Sequence, residues 1–252
     1  MLRPLFTALL LLSIASPCVA QLERGFAKSV EAYGTIQELV RQPDLWIMEV
    51  QFKPMRMVYV DVRDPKTGTV QKEQVWYLVY RCINRPLNSR PDDDVAPVNE
   101  LDPLPGPRMF TPQFTLITYD NPKSEVPVEI RLDEVVPEAM PAILKVERMK
   151  LLNAVEVYQE VPAPVAADAE QQPWIYGVAM WRSIDPETDF FKVIAKGFSN
   201  GYELRPGTDG QQTAWRRVII QKFSRPGDRF DPNQGEFEFD GNPTWVMQPD
   251  GM

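Results

Sequence analysis

The spacing of apolar residues changes several times along the chain, and each change marks an element. Residues 23–42 (ERGFAKSVEAYGTIQELVRQ) place Phe26, Val30, Tyr33, Ile36 and Val40 at steps of three and four. That spacing puts them on one face of a helix. Pro43 ends it, lacking an amide donor and holding φ fixed. From residue 45 the period falls to two, with Trp46, Met48, Val50 and Phe52 alternating through residues 45–52. A second strand is predicted over 55–62, then a turn of Asp64, Pro65, Lys66, Thr67 and Gly68. Residues 75–84 (VWYLVYRCIN) carry Trp76, Leu78, Tyr80 and Cys82 on one face and Val75, Tyr77, Val79 and Ile83 on the other. Two apolar faces predict a central strand covered on both sides.

Residues 85–110 break the pattern with Asn, Pro and acidic residues, as a long loop. A strand follows at 114–119. Residues 132–149 return to helical spacing through Leu132, Val135, Val136, Ala139, Ile143 and Val146. Pro137 and Pro141 interrupt it, so the helix should start near one of them, where a first-turn proline is tolerated. Residues 161–173 (VPAPVAADAEQQP) have the composition of a surface linker. Strands are predicted at 174–181 and 190–198, joined as a hairpin through residues 185–189 (DPETD). Asn200-Gly201 makes a second hairpin turn. Strands at 215–223, 236–240 and 244–247 complete about eight or nine. The expected fold is mostly β, an Ig-like or β-sandwich-type antiparallel domain with an N-terminal helix and one inserted helix. Residues 21–43 form the helical arm and 44–252 the sandwich domain.

The first twenty residues fit an export signal. Arg3 gives a positive start, residues 5–14 (LFTALLLLSI) an apolar run, and Ser16 to Ala20 a small-residue cleavage site. Cleavage is expected after Ala20, giving a periplasmic or extracellular protein. An uncleaved anchor and lipid attachment at Cys18 are the alternatives; the run is short for a span, and Pro17 fits poorly before a lipid-bearing cysteine. No other stretch is long and apolar enough to span, so no membrane span is expected in the mature chain.

Composition narrows the chemistry. Of 252 residues, 27 are basic and 35 acidic, and no dense basic run occurs. That argues against nucleic acid as a ligand. The chain contains no histidine, which removes histidine metal sites and histidine-based triads. Its cysteines are Cys18, inside the signal, and Cys82. Cys82 shares a face with Trp76, Leu78 and Tyr80, so it reads as a small buried hydrophobe. No cofactor is expected.

Four candidate chemistries remain. The acidic loop of Asp92, Asp93 and Asp94, with Glu100 and Asp102, offers hard oxygen ligands for Ca²⁺; a solvated charge run is the simpler account. Residues 231–236 (DPNQGE) begin like a calcium loop, but Gly235 and Glu236 occupy the wrong places. Six tryptophans invite sugar stacking. Trp46, Trp76, Trp174, Trp181 and Trp215 fall on or beside strands, as core residues do. Trp245 should be the most exposed, and Trp245 and Tyr202 are the candidate binding residues. Paired carboxylates could hydrolyse glycosides, but no local motif selects two.

Several runs carry a resemblance: residues 45–54 (LWIMEVQFKP), 75–81 (VWYLVYR) with Asn84-Arg85, 177–181 (GVAMW), 197–202 (GFSNGY) and 225–228 (RPGD). Together they resemble uncharacterised exported proteins of planctomycete-type bacteria. The resemblance implies a secreted globular protein and assigns no activity or catalytic residue. The functional expectation is an exported, non-enzymatic envelope protein that binds a protein or surface polymer through its loops. A carbohydrate-binding module and, after it, a carboxylate hydrolase are the alternatives.

Overall fold

The computed structural model describes residues 25–63, 67–90, 107–207, 212–226 and 235–250. The signal segment, the acidic loop with Asp92, Asp93 and Asp94, and most of the 231–236 stretch lie outside them. In chain order the elements are β1 (Lys28–Val30), β2 (Tyr33–Thr35), α1 (Ile36–Arg41), β3 (Met48–Phe52), β4 (Arg56–Arg63), β5 (Val70–Asn84), β6 (Asn88–Arg90), β7 (Met109–Phe110) and β8 (Gln113–Tyr119). There follow β9 (Ile130–Leu132), α2 (Met140–Glu147), β10 (Gln159–Glu160), β11 (Ile175–Arg182), β12 (Phe190–Lys196), β13 (Tyr202–Pro206), β14 (Gln212–Ser224) and β15 (Glu238–Pro249). The described residues are therefore mostly β and antiparallel, with a β-sandwich-like arrangement and two helices among them.

Each main sheet is organised around one long strand. In the first, β5 carries β11 along one side (Val75 to Cys82) and, on the other, β4 against Val70 to Tyr77 and β3 against Tyr80 to Asn84. In the second, β14 carries β15 along one side and β13 followed by β12 on the other. β8 and then β9 extend that sheet beyond β12. The predicted double-sided character of 75–84 follows from this placement. Trp76, Leu78, Tyr80 and Cys82 face the second sheet and meet Phe114, Leu116, Phe191, Val193, Phe198, Ile219, Phe223 and Phe237. Val75, Tyr77 and Val79 face away and are covered by Phe26, Ala139, Ile143 and Leu151. Burying one such large side chain contributes about 1.5–3 kcal/mol, so the aromatic layer between the sheets is the main apolar stabilisation.

α2 begins with Pro141 in its first turn and ends at Arg148, which takes a left-handed conformation (φ 54°). It is thus the shorter, proline-started helix that the sequence allowed. Its last residue, Glu147, is buried and fixes it to the sheet. Glu147 accepts from Lys53 Nζ (2.8 Å), Arg56 Nη1 (2.7 Å) and the Tyr77 hydroxyl (3.0 Å).

Three expectations are corrected. The N-terminal helix is confined to Ile36–Arg41; Lys28–Val30 and Tyr33–Thr35 are strands. Phe26 and Val30 are buried because β1 lines the edge of the first sheet beside β3, and their spacing imitated a helical stripe. The segments around 185–189 and Asn200-Gly201 do not close hairpins. β11 lies in the first sheet and β12 in the second, while β13 pairs with β14. Asn200 instead ties the sheets together: its Oδ1 accepts from Trp46 N–H (2.8 Å) and its Nδ2 donates to Asp44 O (3.0 Å). Strands 236–240 and 244–247 belong to one strand, β15, with Gly241 at positive φ and a register shift opposite Ile220 and Lys222. The linker-like segment 161–173 is held against the end of β5. Asn84 Nδ2 donates to Pro162 O, and Arg85 reaches Val165 O, Ala166 O and Gln172 Oε1.

Candidate binding site

Between the β2–α1 segment and the β13, β14 and β15 side of the second sheet, the chain leaves a cavity of about 450 Å³. Both aromatic candidates lie in its wall. Tyr202 is the first residue of β13 and Trp245 lies midway along β15.

The local sequence explains the wall. Thr35 ends β2 in an extended conformation and caps α1. Its Oγ1 accepts from Glu38 N–H (3.1 Å), and Glu38 Oε2 accepts from Thr35 N–H (2.8 Å), a reciprocal capping box. Gln42 closes the helix and donates through Nε2 to Tyr202 O (2.6 Å), fastening α1 to β13. On the other side Trp245 Nε1 donates to Glu31 O (2.9 Å).

Arg217 of β14 lies between these walls. Its Nη1 donates to Tyr33 O (2.8 Å), and its Nη2 is 3.2 Å from Glu38 Oε1. The guanidinium sits 5.2 Å from the Tyr33 ring centre and 5.7 Å from that of Trp245, within cation–π range. Only 8% of its side chain is exposed, so Glu38 serves both as helix cap and as counter-ion to a buried charge. Gln37, Arg41, Glu203 and Met247 complete the lining with donors, acceptors and apolar surface. The arrangement offers hydrogen bonds of both polarities beside three aromatic side chains, Tyr33, Tyr202 and Trp245, which suits an extended polar chain with some apolar surface.

The remaining tryptophans are placed differently from a sugar platform. Trp46, Trp76 and Trp181 are buried. Trp174, Trp215 and Trp245 are half-buried, and each has a guanidinium over its ring: Arg81 at 4.2 Å, Arg205 at 4.2 Å and Arg217 at 5.7 Å. Trp245 is therefore less open than its sequence position suggested.

Two neighbouring carboxylates, Asp133 and Glu134, are committed as well. Asp133 and Glu134 border one shallow depression beside Arg182. Burial pushes the Asp133 carboxyl up, although Phe114 N–H donates to its Oδ1 (2.9 Å). Glu134 is held below the usual carboxylate range by Arg182, whose Nη2 lies 2.8 Å away. Asp133 thus serves a backbone amide and Glu134 an arginine. Cys82 is fully buried and burial raises its thiol well above the ordinary value. Among the described residues no three His, Cys, Asp or Glu side chains group as metal ligands; Asp92, Asp93 and Asp94 lie outside that set.

Sequence reasoning named Tyr202 and Trp245 but missed Arg217, Glu38 and Tyr33. The signal for Glu38 was present: Thr35-Ile36-Gln37-Glu38 has the capping-box spacing. Arg217 carried no local signal, since only the fold brings β14 under α1.

The fold and cavity define a class: a β-sandwich-like protein with a polar, aromatic-walled cavity between its α1 segment and its second sheet. No protein-family model, curated protein or solved structure matches the chain.

Proposed function

We propose that this chain is an exported, non-enzymatic module of the bacterial envelope that binds a protein segment or surface polymer in the cavity between α1, β13 and β15. The carrying observation is Arg217, buried between Tyr33 and Trp245 and neutralised by Glu38. It gives the cavity a rigid floor, and preorganised sites bind with less ordering cost. Gln37 and Arg41 offer hydrogen-bonding groups at the cavity surface. Export rests on the charged start, apolar run and small-residue site of residues 1–20. No helix among the described residues is long and apolar enough to cross a membrane. The non-enzymatic reading is supported by four carboxylates at the surface depressions: Glu38, Glu203, Glu134 and Asp133 are engaged by Arg217, Arg205, Arg182 and the Phe114 amide respectively.

The test passes solubilised envelope proteins and, separately, purified cell-wall polysaccharide over the immobilised chain and its variants. Retention of one component by the native chain, lost in Trp245→Ala and Gln37→Ala and kept in Val155→Ala, is the expected result. Val155 is exposed and is not part of the cavity lining. Retention of polysaccharide alone selects the carbohydrate-binding alternative. Equal retention by all four chains, or none by any, overturns the cavity as the site. Turnover of the polysaccharide by the native chain overturns the non-enzymatic reading.

A further inference from the structure

β9 is the outermost strand of the six-stranded sheet and pairs only with β8 among the described residues. Along it and the residues before it, every second side chain is apolar and open to solvent: Val126 75%, Val128 55%, Ile130 61% and Leu132 73% exposed. An uncovered apolar row on a sheet edge is a template for another strand. Ile130 stands directly across from Ile117. The row therefore continues the sheet face that carries Ile117, Ile194 and Val218.

The backbone is also set for pairing. Asp133 N–H donates to Phe114 O (2.8 Å) and Thr118 N–H to Glu129 O (3.0 Å). These bonds fix the phase of the ladder: residues 129, 131 and 133 turn their peptide groups to β8, and at the start of the strand the Val128 amide also donates to β8, at Thr118 O (2.9 Å). The peptide groups of Ile130 and Leu132 then point outward.

We propose that a second copy of this chain occupies this edge, the two β9 strands pairing antiparallel about a two-fold axis at Ile130. The argument for that occupant is self-complementarity. In this register Ile130 faces Ile130 of the other copy as a hydrogen-bonded pair, and the Val128 side chain faces Leu132, whose amide would donate to Val128 O while the Val128 amide keeps its bond to Thr118 O. On the opposite side of the strand, Glu129 of each copy faces Arg131 of the other, as a close non-hydrogen-bonded pair. Every position meets its complement: apolar with apolar, acid with base. A one-step slip to a centre at Glu129 would oppose two glutamates and is disfavoured. Within one chain Glu129 and Arg131 are already 3.4 Å apart, so both are present where the partner charge would arrive. Pro127 on one side and the turn of the chain at Asp133, where Glu134 N–H bonds Met180 O in the other sheet, limit the pairing to a short stretch. The interface is isologous and closes at two copies.

The test measures molar mass by light scattering over a range of protein concentration, with circular dichroism confirming folding of each chain. The native chain should shift from one copy to two as concentration rises. Glu129→Arg and Arg131→Glu, each alone, place like charges opposite one another and should weaken self-association roughly tenfold or more. Mixed together, the two variants should form a heterodimer, because each again meets its opposite charge. Glu129→Arg/Arg131→Glu in one chain should self-associate like the native protein. A native chain that stays monomeric at every concentration overturns the proposal. So do single variants that pair as well as native, or a mixture that fails to pair.

Discussion

Gly177 lies directly opposite Tyr80 where β11 pairs with β5, and the tyrosine ring occupies the space a side chain at residue 177 would need. A Cβ built on Gly177 would collide with Tyr80 Cζ and its hydroxyl oxygen. The ring cannot move aside, because Phe114 and Phe198 pack against it at 4.8 and 5.4 Å between ring centres. Gly177→Ala should therefore destabilise the protein by about 3 kcal/mol, the upper end of what over-packing a core costs. Gly235→Ala, where a Cβ meets open space, should change stability little. Urea unfolding of both variants checks the pair. A Gly177→Ala chain as stable as native would mean that the two sheets can separate to admit a methyl group.

The ion pair of Lys53 with Glu147 yields a second prediction. Both side chains are buried, and Arg56 and Tyr77 bond the same carboxylate. Glu147→Gln would leave Lys53 without its buried counter-charge, which typically costs about 3–5 kcal/mol. The pH dependence has a definite sign. Burial opposes ionisation of Glu147, but the hydrogen bonds from Lys53 and Arg56 outweigh it and hold its pKa below the usual value. A depressed acid contributes stability that is complete above its unfolded pKa and is lost as pH falls through the folded one. Thermal unfolding should show the native chain losing its advantage over Glu147→Gln only on the acid side of the ordinary glutamate range.

Asp133 should behave in the opposite sense. Burial raises its pKa despite the amide bonds it accepts. Its contribution is complete below the unfolded aspartate value and is lost as pH rises through the folded one. Asp133→Asn keeps an oxygen for Phe114 N–H and removes the buried charge. It should be more stable than native at neutral pH, with the gain vanishing in acid. Chemical unfolding at the two conditions checks this, and a variant weakened equally at both would show that the amide bonds need the full charge.

These residues also show what the sequence made legible. The central strand was readable because Trp76, Leu78 and Tyr80 alternate with Val75, Tyr77 and Val79, a pattern that only a strand covered on both faces explains. The N-terminal segment misled because five apolar residues over fifteen positions satisfy a helical period by chance, while Gly25 and Gly34 and the Thr35 to Glu38 cap placed the helix start later. The residues at 185–189 marked a turn, closed by Thr188 N–H on Asp185 O, whereas Asn200-Gly201 runs straight from the Ser199 bridge into β13. Nothing local says whether the flanking strands pair, and here they belong to different sheets or different neighbours. The cavity was legible only as two aromatics, Tyr202 and Trp245. Its floor, Arg217, depends on a contact with Tyr33 184 residues away along the chain.

Cys82 turns this core into a reporter of its own opening. It is a free thiol among the described residues, fully buried in the aromatic layer between the sheets. It lies on the same face of β5 as Trp76, Leu78 and Tyr80, and burial raises its pKa well above the ordinary value. A thiol reagent attacks the thiolate, so reaction must wait until the two sheets part over β5. Labelling of Cys82 in the folded protein should be slow and should accelerate in proportion to the unfolded population. Gly177→Ala, which forces Tyr80 two positions along the same strand, should speed labelling by about the factor that its loss of stability implies, tenfold for each ~1.4 kcal/mol. Glu147→Gln acts on the opposite face of the sheet and should speed labelling by the same rule if the domain opens as one unit. Labelling that responds to Gly177→Ala and ignores Glu147→Gln would mean that the two faces of the first sheet open separately.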